Sequence, residues 1–296
     1  MLARTEVDRR GDVDSMVTEA QIKTALHDLS VGDAPVAVHS SLSSFGCIAG
    51  GAGTIVAALL DVCSTVLMPA YSSIGRTRPP DHDRPRQNGT DYRFYNQLAH
   101  AQITPFDPML FGVDSPINQD MSIIPKTLLA VPGTIRSAHP SVSWAAHGKD
   151  AQWYVEPHPP HDPLLPLKKL IAADGYVLLL GVSLAACAAL HLAEEYAGRC
   201  PFIRWVLYAD GSVRRVREYR CSAGFPCLAP LLDGLARRAC IGSCEAVVYP
   251  APALVERSAV IMRDTPTITC CRDGLGCERC MDAVKGGPIE DEDQLR

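Results

Sequence analysis

Two stretches of this chain carry side chains whose types and spacing could move protons. The first is residues 136–148, Arg-Ser-Ala-His-Pro-Ser-Val-Ser-Trp-Ala-Ala-His-Gly. It gathers an imidazole, hydroxyls and a guanidinium just after the turn signal Val131-Pro132-Gly133. Histidine titrates near neutral pH and so can accept a proton from a reacting group. Pro140 keeps His139 extended, which suits a side chain aimed from a loop. His139 is therefore the candidate general base, Ser137 and Ser143 are candidate site hydroxyls, and His147 is expected to serve structure. The second stretch holds His191 and Glu194, three apart on a predicted helix and so on one face. That helix is otherwise mostly apolar, and a buried imidazole or carboxylate there needs a partner.

A third stretch could hold a ligand rather than react with it. Residues 39–46, His-Ser-Ser-Leu-Ser-Ser-Phe-Gly, leave a predicted strand, and Gly50-Gly51-Ala52-Gly53 open a predicted helix. Small residues let a ligand approach the backbone, hydroxyls donate hydrogen bonds, and a helix N-terminus favours negative charge. A phosphate, a pyrophosphate or an amide-rich chain such as pantetheine would fit, and so would a tight turn with no ligand. No Gly-Lys-Ser/Thr ends the loop and the glycine spacing is not that of a dinucleotide fingerprint.

The chain has twelve cysteines, several of them crowded late in the sequence. Cys277-x-x-Cys280 has metal-ligand spacing, and Cys270-Cys271 lies close before it. Cys271, Cys277 and Cys280 are three candidate ligands of a structural zinc. The fourth is open among Asp273, Cys221, Cys227, Cys240, Cys244 and a histidine, and free thiols are the competing reading. His158 and His161 sit in a proline-rich connection that reads as a rigid linker or, alternatively, as metal ligands.

These residues need a scaffold, and the chain reads as alternating helices and strands, the pattern of a parallel α/β sheet. Thr18 caps a helix to about 29. Strands are expected at 35–39, 66–69, 144–147 and 176–182, and helices at 55–60, 123–130, 166–174 and 185–196. Residues 71–120 read as an irregular excursion. Residues 205–220 read as a hairpin about Asp210-Gly211, followed by a helix at 228–239 and late strands at 246–250 and 259–262. The expected division is a flexible tail at 1–16, a main domain at 17–265, a cysteine-rich segment at 266–285 and a disordered acidic tail at 286–296.

At 296 residues, 47% hydrophobic and a net charge of −5, the chain lacks the basic stripe of a nucleic-acid binder. The polar N-terminus lacks a signal-peptide core and the longest apolar runs are broken, so neither a membrane span nor export is expected. The expectation is a cytoplasmic monomer or homodimer acting on a small molecule.

Taken together, these blocks resemble the aminoglycoside 3-N-acetyltransferase family, which is unrelated in fold to GCN5-type enzymes. The likeness rests on Val38-His39-Ser40-Ser41-Leu42, Gly50-Gly51-Ala52, Pro105-Phe106-Asp107-Pro108, Ile124-Pro125, Pro132-Gly133, Arg136-Ser137-Ala138-His139-Pro140, and Leu190-His191-Leu192-Ala193-Glu194. The resemblance implies a three-layer α/β/α sandwich with a mostly parallel central sheet, here with a cysteine-rich appendage. It implies acetyl-CoA as donor and an amine as acceptor, with His139 and Glu194 in the catalytic centre. His39, Ser40, Ser41, Leu42, Gly50, Gly51, Ser137 and Ser143 would then line the CoA channel, and His191 with Glu194 would meet the acceptor. Two departures bear on the acceptor. Lys126 stands where the family usually has glutamate, and residues 185–188 are Ala-Ala-Cys-Ala where an acid and threonines are common. Asp81, Asp83 and Asp91 are candidates to compensate. The resemblance thus leaves an aminoglycoside and another amine open, alongside an acyl enzyme using Cys187 as nucleophile and a zinc-stabilised binding protein without catalysis.

Overall fold

Thr18 caps the first helix, its hydroxyl accepting from Gln21 N–H while the Gln21 side chain reaches back to the Thr18 N–H. The computed structural model describes residues 16–93, 103–219, 221–271 and 277–290. In chain order the elements are α1 (Glu19–Asp28), β1 (Pro35–Ser40), α2 (Ala52–Val62), β2 (Thr65–Pro69), β3 (Arg76–Thr77), α3 (Ile123–Leu129), β4 (Ile135–Arg136), β5 (Trp144–Gly148), α4 (Ala151–Val155) and α5 (Leu165–Ala172). They continue as β6 (Tyr176–Leu180), α6 (Ala189–Tyr196), β7 (Phe202–Leu207), β8 (Val213–Glu218), α7 (Ala229–Leu232), β9 (Arg237–Ile241), β10 (Cys244–Pro250), α8 (Ala251–Asp264) and α9 (Glu278–Val284).

Seven strands form one sheet in the order β4-β5-β2-β1-β6-β10-β9. Its centre is parallel, with β1 between β2 and β6. The flanking pairs, β2 with β5, β5 with β4, β6 with β10 and β10 with β9, are antiparallel. The central strands are apolar throughout because both faces are covered. Alternation along them shows this directly. Val36, Val38, Val66, Met68, Leu178 and Leu180 enter the core with Ile22, Leu26, Ile55 and Leu59 of α1 and α2. Ala37, Leu67, Val177 and Leu179 enter the opposite core, with Leu167 of α5, Leu190 of α6 and Leu254 of α8. The result is the expected α/β/α sandwich.

Three expectations change, two of them helix or strand assignments and one the C-terminal tail, while the hairpin about Asp210-Gly211 forms as β7 and β8. Residues 228–239 give only the short α7 before β9, and 259–262 belong to α8 rather than a strand. There Leu254, Val255, Ser258, Ala259 and Met262 are buried at helical spacing, a pattern that a short apolar run cannot be told from in isolation. The 205–220 hairpin forms with β3 a separate sheet, β3-β7-β8, over its own small core of Phe106, Val206, Tyr208 and Val216. The C-terminal segment, expected to be disordered from 286, is docked through 290: Ile289 N–H donates to the Arg86 carbonyl, and Glu290 pairs with Arg215 and Arg217. Residues 1–15 and 291–296 of the two expected tails lie outside the described residues. No helix among the described residues is long and apolar enough to cross a membrane.

This topology creates a place for a ligand. The chain leaves β1 for β2 on one side and reaches β6 on the other, so the connections diverge at the C-terminal ends of the central strands. Such a switch point leaves a crevice outside those ends. Gly181, immediately after β6, has φ +64°, and a Cβ there would fall 1.8 Å from Ser44 Oγ. Gly181→Ala is therefore expected to cost about 2 kcal/mol or more, from positive-φ strain plus displacement of the 41–45 loop. A lower denaturant midpoint would show it; a midpoint equal to wild type would contradict it.

Candidate active site

A cavity of about 740 Å³ occupies the switch point. The end of β1 supplies His39 and Ser40, and the following turn supplies Ser41, Leu42 and Ser43. Pro69 and Tyr71 come from the end of β2, Ala185 to Ala188 from the turn after β6, and Tyr219 and Ser222 from beyond β8. Asp120, Met121 and Ser122, from the end of the long excursion, form another wall. Ser40 Oγ is buried without a hydrogen-bond partner. An orphaned hydroxyl on a cavity wall is a group waiting for a ligand atom, because leaving it unpaired costs free energy.

His191 stands on this wall, on α6, with its Nδ1 2.8 Å from Glu194 Oε2. The other carboxylate oxygen accepts from Arg199 Nη1 at 2.8 Å. Arg199 also donates to Thr269 Oγ1 at 3.0 Å and to the Pro266 carbonyl at 2.6 Å. Side chains of the three residues are 5% exposed or less. The paired arginine makes the carboxylate ionised, and an ionised carboxylate makes Nδ1 the protonated nitrogen. The lone pair is then on Nε2, the arrangement of a general base oriented by an acid. Tyr219 stacks on the imidazole at 4.9 Å with a 12° interplanar angle, and Phe225 packs at 4.9 Å.

His39 is different. Its Nε2 accepts the Ala188 N–H at 3.4 Å, and burial, followed by the neighbouring His191, pushes its pKa down to about 4. It is a neutral wall residue whose ring meets Trp144 edge-on at 6.0 Å.

The 136–148 run does not form the site as expected. His139 is fully buried, and its Nδ1 accepts the N–H groups of Ser141 at 3.2 Å and Val142 at 3.1 Å. Those backbone donors occupy the Nδ1 lone pair and leave the proton on Nε2. It lies against His158 rather than on the cavity wall, with centroids 4.7 Å apart. Burial holds its pKa well below the usual value. Ser137 and Ser143 are also fully enclosed. Ser137 Oγ accepts the Trp144 N–H at 2.8 Å and contacts His158 Nδ1 at 2.9 Å, so His158 serves this network. Ser143 donates to the Ala70 carbonyl at 2.6 Å and accepts from Arg136 Nε at 3.1 Å. The same guanidinium donates to the carbonyls of Gly112, Ser115, Pro116 and Ala70. The run therefore anchors the excursion whose far end forms the Asp120 wall. His147 contacts Thr134 Oγ1 at 3.1 Å, a structural role as expected.

Gly50 and Gly51, at φ +81° and +61°, open α2 but are not on the cavity wall. The candidate compensating acids lie elsewhere as well: Asp81 pairs with Arg84, Asp83 with Arg215 and Trp205, and Asp91 with Arg93. Asp120, which sequence reasoning passed over, is an acid on the wall itself. Lys126 is not part of the wall, although Pro125 beside it is. Cys187 does reach the wall, and burial pushes its pKa up to about 12, which disfavours the thiolate a nucleophile needs. Arg199 and Tyr219 were also missed. Nothing in their spacing marks them, since each acts through a contact made across the fold.

The structure gathers the three expected cysteines with a fourth, one of the alternatives left open for that position. Cys271, Cys277 and Cys280 come together with Cys221, their sulfurs all within 4.8 Å of one another. Cys271 and Cys280 are 3.6 Å apart. Four sulfurs around zinc at about 2.3 Å stand about 3.8 Å from each other, so a small contraction closes a tetrahedral site. Asp273, another candidate for the fourth position, lies outside the described residues.

Fold and crevice together define an α/β/α protein with a buried His–Glu–Arg chain at the head of its parallel strands. The chain belongs to the aminoglycoside 3-N-acetyltransferase family, whose sequence profile matches residues 37–263. It is 37% identical over 189 residues to aminoglycoside N(3)-acetyltransferase IX of Micromonospora chalcea, covering 61% of this chain and 63% of that protein. The matched part is thus less than two thirds of that relative's length. It is 32% identical over 222 residues to the type VIII enzyme of Streptomyces fradiae, covering 71% of this chain and 74% of that one. Among solved structures, the aminoglycoside acetyltransferase AAC(3)-IVa apoenzyme superposes with a TM-score of 0.69 at 26% identity, covering 92% and 98% of the two chains. A histidine-to-alanine mutant of that enzyme in complex with a gentamicin gives the same figures. The AAC-IIIb binary complex with CoASH gives 0.68 at 26% identity, covering 84% and 97%.

Proposed function

We propose that this chain transfers the acetyl group of acetyl-CoA to an amine of an aminoglycoside or a related small molecule, with His191 rather than His139 as general base. The observation that carries the reading is the His191–Glu194–Arg199 chain on a cavity that also presents the orphaned Ser40 hydroxyl. Family membership and the CoA- and gentamicin-bound relatives support donor and acceptor class. An amine attacks a thioester only as the free base. His191 Nε2 takes its proton as nitrogen bonds to the acyl carbon, Glu194 stabilises the imidazolium, and the thiolate of CoA leaves. Ser40 Oγ, which has no hydrogen-bond partner in the structure, supplies a donor for the charge on the thioester oxygen. A donor drawn from metabolism fits a cytoplasmic location.

CoA binding by calorimetry and thiol release on adding gentamicin- or kanamycin-type amines test this. Absence of CoA binding would sink it; binding without release on any aminoglycoside would turn the acceptor toward another amine. The Asp120 wall and the run of alanines at 185, 186 and 188 favour an acceptor with few ammonium groups near the reacting one. Asp120→Asn is expected to raise the acceptor KM roughly 3- to 10-fold at nearly constant kcat, the signature of a lost charge contact made in ground and transition state alike. An unchanged KM would remove Asp120 from acceptor binding.

Cys221, Cys271, Cys277 and Cys280 form, in this reading, a structural zinc site, since four thiolates leave no open position for a substrate. Protein purified without chelator should hold one zinc per chain by elemental analysis.

A further inference from the structure

The cysteine cluster lies next to the residues that hold the base. Cys221 follows Tyr219, whose ring stacks on His191, by two residues, and is followed directly by Ser222 on the cavity wall and then by Phe225 against His191. Cys271 follows Thr269 by two residues, and Thr269 and Pro266 hold Arg199, which holds Glu194. The two segments touch backbone to backbone: a Cβ on Gly224 would fall 2.0 Å from the Thr269 carbonyl oxygen and 2.8 Å from the Cys270 carbonyl carbon. The described residues from 221 to 224 and from 265 to 271 belong to neither strand nor helix, so no ladder of backbone hydrogen bonds holds them in place.

Resting on the zinc reading above, we propose that the metal is a positioning device for the base: by tying Cys221 to Cys271, Cys277 and Cys280 it clamps the Tyr219–Phe225 segment and the Thr269 support against His191 and Glu194. The donor side does not depend on it. Ser40 ends a central strand and Ser41 to Ser43 follow it, on the β1 side of the cavity and remote in sequence from every cysteine ligand. Loss of the metal therefore lowers turnover while CoA affinity stays.

The test uses the zinc-loaded protein. Zinc is released stepwise with a thiol-specific mercurial and followed with a chromophoric indicator, while kcat, CoA affinity by calorimetry and the imidazole signals of ¹⁵N-histidine-labelled protein are recorded. kcat should fall in proportion to zinc released, by about tenfold or more at completion, as small displacements of a base cost. CoA affinity should not change, and the His191 signals of a ring fixed as the Nδ1–H tautomer should broaden or average. Gly224→Ala keeps all four thiols and should show the same loss of kcat with zinc still bound. No zinc in the purified protein would overturn the metal reading itself. Zinc present, with kcat and the His191 signals indifferent to its release, would overturn the positioning role and leave the metal. A parallel loss of CoA binding would also overturn it, by showing general unfolding. The imidazole signals decide the matter even if no acceptor is turned over.

Discussion

His191→Ala lowers kcat by about two to four orders of magnitude and leaves CoA affinity near that of wild type, because general-base catalysis by a placed imidazole is worth that much. The expectation follows from which nitrogen holds the proton. Glu194, ionised by Arg199, fixes the proton on Nδ1, and Tyr219 and Phe225 fix the ring plane. Removing the imidazole removes the proton acceptor but no part of the Ser40–Ser43 turn. Steady-state rates with saturating acetyl-CoA, together with CoA calorimetry, read the two effects separately. A kcat within a few-fold of wild type would end the claim that His191 is the base. His139 provides the contrast. Substituting it breaks two hydrogen bonds to backbone N–H groups in a closed interior, so its loss registers in stability, and any loss of rate follows the loss of folded protein.

Stability falls steeply as pH drops from about 6.5 toward 4. His39 and His158 are held at about 4 by burial, and His139 well below its usual value for the same reason. In the unfolded chain each takes up its proton near 6.5. Between those limits the unfolded chain binds more protons than the folded one, so acid draws the equilibrium toward unfolding. Above about 6.5 the contribution is fully present and flat. For His39 and His158, each held at about 4, the difference from 6.5 corresponds to about 3 kcal/mol apiece, and the two together compete with the total stability of an ordinary domain, about 5–15 kcal/mol. Denaturant midpoints at pH 7.5, 6 and 5 measure it. A midpoint that holds constant to pH 5 would show that these rings accept protons in the folded chain. His158→Gln should flatten part of the slope.

Much of this protein is legible in its residues. Apolar strands at 35–39, 66–69 and 176–182 announce a sheet covered on both faces, and that burial is a local property of each segment. The turn at Ser40–Ser43 could be read as a ligand loop because small residues and hydroxyls after a strand have few other uses. His191 and Glu194 could be paired because helical geometry fixes neighbours three apart. Cys277 and Cys280 could be read as ligands for the same reason of short-range spacing.

The distribution of roles among the histidines was not local. His139 carries the stronger loop signature, yet two backbone N–H groups take its lone pair, and they do so only because Pro140–Val142 folds back on the ring. His191 looked like half of a core pair until Arg199, Tyr219 and Phe225 closed around it from beyond its own helix. Asp120 reaches the cavity because Arg136 ties down a long excursion through carbonyls of residues 70 and 112–116. Cys221 joins three thiols from about 50 residues further on because two segments without regular structure meet at Gly224. Element type, burial and short-range pairs follow from each stretch of chain; which ring nitrogen holds the proton, which acid faces the cavity and which sulfur joins the cluster depend on segments far apart in sequence coming into contact.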